Sequence, residues 1–479
     1  MHLELPPPLP RHLRSPGADG YRTPTIEDTQ QDLSKTLSIS ECHNASSQTS
    51  GSRVREAHSS ALETMHGPSC QSYNKTEMSL SRSISEATGG KLHWKKRIRH
   101  FTWAFFTLTM ATGGIANVIY TIPWRFRGLE TIGIVFFLLN IAFYLVIWAL
   151  LLTRFYLFPY TFKASLMHPT ESLFVPASVV SFGTILINIS QYGTNSAGPW
   201  LTNAVGILFW VDATLAVISS AGIYLLLWST QTFTIAQMTP IWIFPAYPML
   251  IIGPHAGILS SKLDPSRTLP IIVGGTTIQG VGFLVSLMVY SAFIYRLMSQ
   301  KLPRENIRPG MFVSVGPSAF TVAGIVNMAS QASRCFPDDF MGDGALAANV
   351  MKVVANFASL WLWGLAIFFF IIASFAHISA IGPGRMIFTM GWFSFIFPNT
   401  ALITSTFAIG NAFSCKPILI IGCVMVIPLL LMYAFVLYMM GRAIFLRQIL
   451  WPQKGEDKDE GGFEIKAIRP GVLGEDTTV

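Results

Sequence analysis

Long apolar stretches alternate with short polar connections between residues 101 and 445. Ten stretches approach or exceed the roughly 20 apolar residues that a transmembrane helix needs. They cover approximately residues 101–120, 130–153, 173–192, 203–228, 238–261, 269–295, 310–330, 348–375, 386–410 and 417–441. Charged residues make up 12 % of the chain, about half of the usual share in soluble domains. The pattern predicts an all-α integral membrane protein with ten transmembrane helices.

Proline falls mainly on the odd-numbered spans, and the first span, which lacks proline, contains the pair Gly113-Gly114. A lipid-exposed helix has no partner for a freed backbone group, whereas a helix that lines a cavity can tolerate a break. We therefore predict five kinked inner helices around a central pore and five smoother outer helices, arranged as five hairpins. The predicted pore-lining kinks are Gly113, Gly114, Pro176, Pro245, Pro248, Gly316, Pro317 and Pro398. Pro428 in the tenth span departs from the alternation, and close packing of small residues is the competing interpretation.

The two ends of the chain differ from the apolar region. Residues 1–90 are rich in Ser and Thr and poor in bulky apolar residues, which predicts a disordered tail. Residues 91–445 form the predicted transporter domain, and residues 446–479 form a polar C-terminal tail. With both termini in the cytoplasm, the inner connections carry more than twice as many Lys and Arg residues as the outer ones. The positive-inside rule therefore predicts cytoplasmic termini.

The net charge of +8 does not indicate nucleic-acid binding, because the basic residues lie mostly at the ends of apolar stretches. The five cysteines form no disulfide framework. Cys335 and Cys415 fall on the same predicted side, so a bridge and two free thiols both remain open. The chain contains no His-Glu-x-x-His or Walker motif. We therefore expect neither an enzyme nor a metal or cofactor site, and a receptor gives no reason for kinked helices.

Five ionisable residues near or within the spans are candidates for function, because charge at membrane depth is costly. They are His168, Glu171, Asp212, His255 and Lys352. His168 and Glu171 begin the third span, either as a proton-sensitive entrance or as a helix cap with a first-turn acid. Asp212 and Lys352 either pair or stand apart, with Lys352 extending to the interface. His255 either titrates within the path or is a structural histidine.

Four sequence runs resemble the tellurite-resistance/dicarboxylate transporter family, in its fungal malic acid transport branch. They are His100–Ile115, His168–Phe174, Met238–Pro245 and Arg308–Pro317. The resemblance implies one pore of five hairpins in each protomer, commonly in a trimer, and kinship with plant slow anion channels. It also implies a phenylalanine that occludes the pore. We assign that role to Phe397, with Phe395 as the alternative in register.

The expected function is transport of C4-dicarboxylates such as malate across the plasma membrane. Moving one charge against 100 mV costs about 2.3 kcal/mol, so a partly protonated anion or proton-coupled uptake is economical. Few basic residues lie within the spans, so ends of broken helices are the expected source of positive potential. The expected partners are a small anion and the lipid bilayer. Efflux of sulfite or another inorganic anion by the same fold is the alternative.

Overall fold

The computed structural model describes residues 94–230, 238–378 and 386–450. The predicted tail over residues 1–90 and most of the predicted C-terminal tail, residues 451–479, lie outside the described residues. All regular elements in the described part of the chain are helical. The predicted all-α class is therefore confirmed.

In the described part of the chain, ten long helices follow one another and are numbered here in chain order. The even-numbered helices are single α-helices: helix 2 Leu129–Leu157, helix 4 Pro199–Thr230, helix 6 Pro265–Gln300, helix 8 Gly344–Ile378 and helix 10 Lys416–Phe445. The α-helical parts of the odd-numbered helices are helix 1 Phe106–Thr121, helix 3 Ala177–Asn188, helix 5 Tyr247–Ser260, helix 7 Gly316–Cys335 and helix 9 Phe397–Ala412. Short helices Trp94–Ile98 and Tyr160–Met167 precede helices 1 and 3.

Each odd-numbered helix begins with a 3₁₀ segment before its α-helical part. These segments are Trp103–Phe105, Ser172–Phe174, Pro240–Ala246, Arg308–Val315 and Met390–Phe395, in the order of the helices. The 3₁₀ segment and the α-helical part are separated by no more than two residues in each helix. Helix 3 also ends in a π-helical turn, Ile189–Gly193, followed by the short helix Thr194–Ala197.

Nine helices in the described part of the chain are long and apolar enough to cross a membrane. Helix 1 falls short of that length because its α-helical part has 16 residues. At about 1.5 Å per α-helical residue and about 2 Å per 3₁₀ residue, its two segments together still span about 30 Å. That length matches the hydrocarbon core of a bilayer, so helix 1 completes the predicted ten.

Burial separates the helices into two sets. In the apolar windows of helices 3, 5, 7 and 9, between 78 and 89 % of the residues are buried within the protein. In the even-numbered helices, the share lies between 17 and 39 %. Helix 1 buries nearly all of its residues. The odd-numbered helices are therefore the inner set, as the proline pattern predicts.

Small residues bring the inner helices close together. A Cβ added to Gly324 of helix 7 would lie 2.9 Å from the backbone of Gly253 in helix 5. That distance is shorter than side-chain contacts allow, so the two helices meet backbone to backbone at this point. The thiols of Cys335 and Cys415 are both free, so the bridge considered from the sequence does not form.

Candidate functional site

The inner helices surround a cavity of about 260 Å³. It lies toward their C-terminal ends, and among the described residues all five odd-numbered helices contribute to its wall while no even-numbered helix does. The lining residues come from helix 1 (Asn117, Tyr120, Thr121), helix 3 (Ile187, Gln191), helix 5 and the residues just after it (Ile251, Pro254, Gly257, Ile258, Ser261, Lys262), helix 7 (Phe320, Ala323, Asn327, Ser330, Gln331) and helix 9 (Thr404). The volume is slightly below the roughly 300–1,000 Å³ of pockets for drug-sized ligands, which suits a small solute.

The cavity wall offers hydrogen-bond donors and one cation. Amide side chains come from Asn117, Gln191, Asn327 and Gln331, and Lys262 adds an ammonium group. Gln191 Nε2 donates to Asn117 Oδ1 at 2.6 Å and so joins helix 3 to helix 1. None of the described lining residues is acidic. The wall is therefore suited to a negatively charged solute.

The π-helical turn of helix 3 positions this amide pair. The turn places Gln191 toward helix 1 and lets Tyr192 donate its hydroxyl to the Ala116 carbonyl at 2.7 Å. A π-turn adds a residue to the helical repeat and often marks a functional site. The sequence analysis did not find Gln191, Lys262 or Gln331. The available signal was the recurrence of amides near the C-terminal ends of the odd-numbered spans.

Three aromatic rings pack against one another between the inner helices, next to the cavity. We call Tyr247, Phe320 and Phe397 the aromatic triad; they come from helices 5, 7 and 9. The ring centroids are 5.1 Å apart between Phe320 and Phe397, and 6.0 Å from Tyr247 to each of the other two. All three side chains are buried. Among the three, Phe320 also lines the cavity, so its ring forms part of the cavity floor and joins it to the triad.

The two candidate gate residues have different surroundings. Phe397 belongs to the triad at the start of the α-helical part of helix 9. Phe395 ends the preceding 3₁₀ segment. It packs against Phe312 of helix 7, against Trp392 of its own segment and against His377 of outer helix 8, at centroid distances of 5.1–6.1 Å. The geometry therefore favours Phe397 over Phe395 as the ring between the inner helices.

The predicted proline kinks occupy the transitions from 3₁₀ to α-winding. Pro176 precedes the α-helical part of helix 3, Pro245 lies in the 3₁₀ segment of helix 5, and Pro248 lies in the first turn after it. Gly316 and Pro317 begin the α-helical part of helix 7, and Pro398 begins that of helix 9. Proline is tolerated here because a first-turn residue needs no N–H for the helix.

The sequence analysis expected the proline positions to break the inner helices, and the structure does not show such breaks in the helices it describes. The inner helices change winding near their N-terminal ends rather than breaking into separate half-helices. The Tyr247 amide donates to the Phe244 carbonyl, and the Gly316 amide donates to the Val313 carbonyl. These junction amides are therefore already bonded, which weakens the expectation that freed helix ends supply most of the positive potential.

Gly113 and Gly114 do not kink helix 1, contrary to the sequence-based expectation. Helix 1 runs without interruption from Phe106 to Thr121. A Cβ on Gly113 would collide with Asn140 and Thr184, and one on Gly114 would collide with Thr400. Here the two glycines allow close packing of helix 1 against helices 2, 3 and 9, which was the competing interpretation.

Glu171 is fully buried at the start of helix 3 in an ion pair with Arg154 of helix 2. Arg154 Nη1 lies 2.6 Å from Glu171 Oε1 and also donates to the Phe101 carbonyl at 2.8 Å. Half-buried His168 accepts hydrogen bonds from the Glu171 and Thr170 amides through Nδ1. This arrangement fits the helix-cap interpretation. The sequence analysis did not find Arg154 as the partner of Glu171, because the contact depends on how helix 2 meets the start of helix 3.

Asp212 pairs with His255 and not with Lys352. Asp212 Oδ2 lies 3.5 Å from His255 Nδ1, and both side chains are completely buried between helices 4 and 5. Lys352 is exposed on the outer face of helix 8. Of the two alternatives left open for Asp212 and Lys352, the structure therefore supports the one in which they stand apart. The described residues contain no cluster of three or more His, Cys, Asp or Glu side chains that could hold a metal ion.

The chain is similar in sequence to known channel and transport proteins. The model of the voltage-dependent anion channel family (SLAC1) matches residues 100–441. A malic acid transport protein of Schizosaccharomyces pombe is 30 % identical over 363 residues, which cover 76 % of this chain and 82 % of that protein. The sulfite efflux pump SSU1 of Trichophyton rubrum is 26 % identical over 322 residues, covering 66 % and 84 % of the two chains. An uncharacterized transporter of Methanocaldococcus jannaschii is 21 % identical over 328 residues, covering 68 % and 89 %.

Proposed function

Because the chain belongs to the voltage-dependent anion channel (SLAC1) family and is therefore an anion transporter of the membrane, we propose that it carries C4-dicarboxylates such as malate. The route runs between the five inner helices, through the cavity and past the aromatic triad. In this proposal the protein lies in the plasma membrane with both termini in the cytoplasm. It assembles as a trimer with one route in each protomer.

The observation that carries the proposal is the composition of the cavity wall. Every described residue in it belongs to an odd-numbered helix or to the residues just after helix 5, and the wall combines four amides with Lys262 and no carboxylate. Such a wall stabilises an anion through several moderate contacts. Conduction requires binding that is strong enough for the ion to enter and weak enough for it to leave.

The choice of malate is supported by the similar proteins. The match to the malic acid transport protein has higher identity and covers more of this chain than the match to the sulfite efflux pump. Both relatives support a small anion with oxygen atoms as the substrate. Sulfite efflux is the second candidate, because it needs the same fold and the same kind of wall.

Phe397 is the proposed gate of this route. This role is supported by the packing of its ring against Tyr247 of helix 5 and Phe320 of helix 7. Hydrophobic constrictions of this kind block ions by excluding water. The ring must therefore move before an anion can pass the cavity floor.

The voltage across the membrane favours inward transport of malate in a less negatively charged form. A dianion that enters a cell with a negative interior does electrical work of about twice 2.3 kcal/mol per 100 mV. A carboxyl group titrates near pH 4, so an acidic exterior supplies the monoanion and halves that work. We propose that malate enters partly protonated or together with protons.

Uptake of radiolabelled malate into vesicles containing the purified protein tests the substrate, with voltage and pH gradients imposed separately. We expect uptake to increase with an acidic exterior. Lys262→Gln should weaken the apparent affinity for malate about tenfold, since it removes a charge-assisted hydrogen bond. The matched control is Lys352→Gln on the exposed face of helix 8, which should leave uptake unchanged.

Two outcomes would contradict the proposal. Sulfite flux without malate flux would establish the second candidate in its place. Equal effects of Lys262→Gln and Lys352→Gln would mean that the cavity wall does not recognise the anion.

A further inference from the structure

Asp212 and His255 form an isolated ionisable pair in the middle of the helix bundle. Asp212 lies 13 residues after the start of the 32-residue helix 4, and its side chain is completely buried, as is that of His255. The distance of 3.5 Å between Asp212 Oδ2 and His255 Nδ1 is the only polar contact that the described structure gives them. Neither oxygen of Asp212 and neither ring nitrogen of His255 has a well-formed hydrogen bond.

This pair differs from the buried ion pair of the same molecule. Arg154 and Glu171 are held at 2.6 Å and supported by the Phe101 carbonyl, as a structural ion pair should be. Removing ions from water costs several kcal/mol each, and only good geometry with additional hydrogen bonds offsets the cost. The Asp212–His255 pair lacks that support. Its presence at membrane depth therefore points to a function beyond holding helices 4 and 5 together.

The pair lies behind the wall of the cavity. His255 follows Pro254, which lines the cavity, and the Ile251 and Gly257 positions of the same helix also line it. Asp212 Oδ2 and Ile251 Cγ2 both lie 3.0 Å from the position of a Cβ on Gly183, so the carboxylate is a close neighbour of a cavity residue. The Phe209 ring of helix 4 packs edge-on against the His255 ring at a centroid distance of 5.2 Å.

The helices around the pair carry other titratable groups, which are named here because a pH effect could also come from them. Among the described residues, Tyr144 of helix 2 is within electrostatic range of Asp212. Helix 3 contributes none between Ala177 and Asn188. The other titratable groups on the packed helices include Tyr224 in helix 4, Tyr247 in helix 5, Arg267, Tyr290, Tyr295 and Arg296 in helix 6, and Arg334 and Cys335 in helix 7, with Lys262 just after helix 5. Arg267 bonds to Asn203 and Arg334 to the Ser260 and Leu263 carbonyls, all near the C-terminal end of helix 5 or the start of helix 4.

We propose that Asp212 and His255 form a proton-binding site whose occupancy sets the affinity of the adjacent cavity for anions. The proposal rests on the proposed function only in taking the cavity as the anion site. A pair without a proton to share carries one negative charge, whereas one proton makes it neutral and a second makes it positive. Each proton, bound at an Asp212 oxygen or a His255 nitrogen, makes the potential behind the wall more favourable for an anion.

The coupling must work in both directions. If a proton at the pair strengthens anion binding, then an anion in the cavity strengthens proton binding by the same factor. Anion binding should therefore draw protons from water into the protein. Anion affinity should fall as the pH rises, whichever of the two proton steps occurs in the range of the measurement.

Nitrate is the suitable probe, because it exchanges no proton of its own between pH 5 and 8. Nitrate is added to the purified protein in nanodiscs in weakly buffered solution with a pH-indicator dye, and its binding is measured by calorimetry in parallel. We expect net proton uptake on binding. We also expect an affinity that decreases at least about fivefold from pH 5 to pH 8, the lower end of typical coupling between sites.

The double variant Asp212→Asn/His255→Gln keeps side chains of similar size and polarity and removes both proton-binding groups. It should bind nitrate with little dependence on pH and without proton uptake, and Asp212→Asn alone should shift the pH range of the effect. The matched control is Asp338→Asn/His377→Gln, which changes an exposed aspartate and a half-buried histidine away from the pair and should behave like the unmodified protein.

Nitrate binding by the unmodified protein without proton exchange at any pH would overturn the proposal, and this measurement needs no variant to fold. Proton uptake that persists unchanged in the folded double variant would overturn it as well. The substrate proposal fails separately: proton uptake with nitrate but no malate flux would remove malate and leave the proton site intact.

Discussion

The inner and outer helices of this protein obey different packing rules, although their lengths and apolar character are similar enough that both sets cross the membrane. Inner helices bury more than three quarters of their apolar windows, whereas outer helices bury less than two fifths. Inner helices begin with 3₁₀ segments and carry amides and hydroxyls into a shared cavity. Outer helices are continuous α-helices, even helix 10 with Pro428.

The difference shows where irregular backbone and polar groups are tolerated in a bilayer. The neighbours of an inner helix are protein or a wet cavity, and both can satisfy polar groups. The neighbour of an outer helix is lipid, which satisfies none. Substitutions of the same kind on the two sets should therefore have different effects.

The largest difference is expected for the gate. Phe397→Ala should increase anion conductance in the resting state at least about tenfold, because it opens the hydrophobic constriction of the aromatic triad. Phe368→Ala on the exposed face of helix 8 is the matched control and should leave conductance unchanged. Currents across planar bilayers measure both. Normal insertion with unchanged current in Phe397→Ala would contradict the assignment of the gate.

A second test concerns Arg154, a charged residue of outer helix 2 whose side chain is buried inside the protein. Glu171→Ala leaves Arg154 of helix 2 buried without its partner, which should destabilise the fold by about 3–5 kcal/mol. Glu305→Ala removes only the 3.5 Å contact of a half-exposed carboxylate with Arg308 and should cost about 1 kcal/mol or less. Thermal unfolding in detergent compares them, and equal losses would show that burial does not decide the effect.

Glycine substitutions should separate the two sets by a smaller amount. Gly324→Ala places a Cβ against the Gly253 backbone and should cost about 1–3 kcal/mol through overpacking. A Cβ on Gly364 of helix 8 meets open space, so Gly364→Ala should be neutral or stabilising by up to about 1 kcal/mol. The same unfolding assay applies. A tolerated Gly324→Ala would mean that helices 5 and 7 separate easily.

The smallest effect concerns His100, which lies just before helix 1. Burial, and then the positive charges of Arg99 and Arg154, lower the pKa of His100 from 6.5 to about 4. Between these values the unfolded chain binds a proton that the folded protein does not, so stability should fall as the pH decreases from 6.5 to 4. His100→Gln should reduce that slope. An unchanged slope of the unfolding temperature against pH would contradict this assignment.

Much of the architecture follows from the sequence, because apolar length and proline spacing are properties of one helix at a time. The ten helices and the inner position of the odd-numbered set follow from them. The Asp212–His255 pair, the aromatic triad and the Gln191–Asn117 contact depend on which faces meet across helices. Gly113 and Gly114 illustrate the same difficulty, since a glycine that permits a kink and a glycine that permits close packing look identical in a sequence.

One ring of the aromatic triad is tethered and the other two have no hydroxyl group. Tyr247 donates its hydroxyl to the Val313 carbonyl at 2.5 Å, whereas Phe320 and Phe397 have only contacts between apolar atoms to hold their rotamers. Rotation of a phenylalanine side chain breaks no hydrogen bond. We therefore expect permeation to depend on a rotamer change of Phe320 or Phe397 against a fixed tyrosine, with the ten helices keeping their positions.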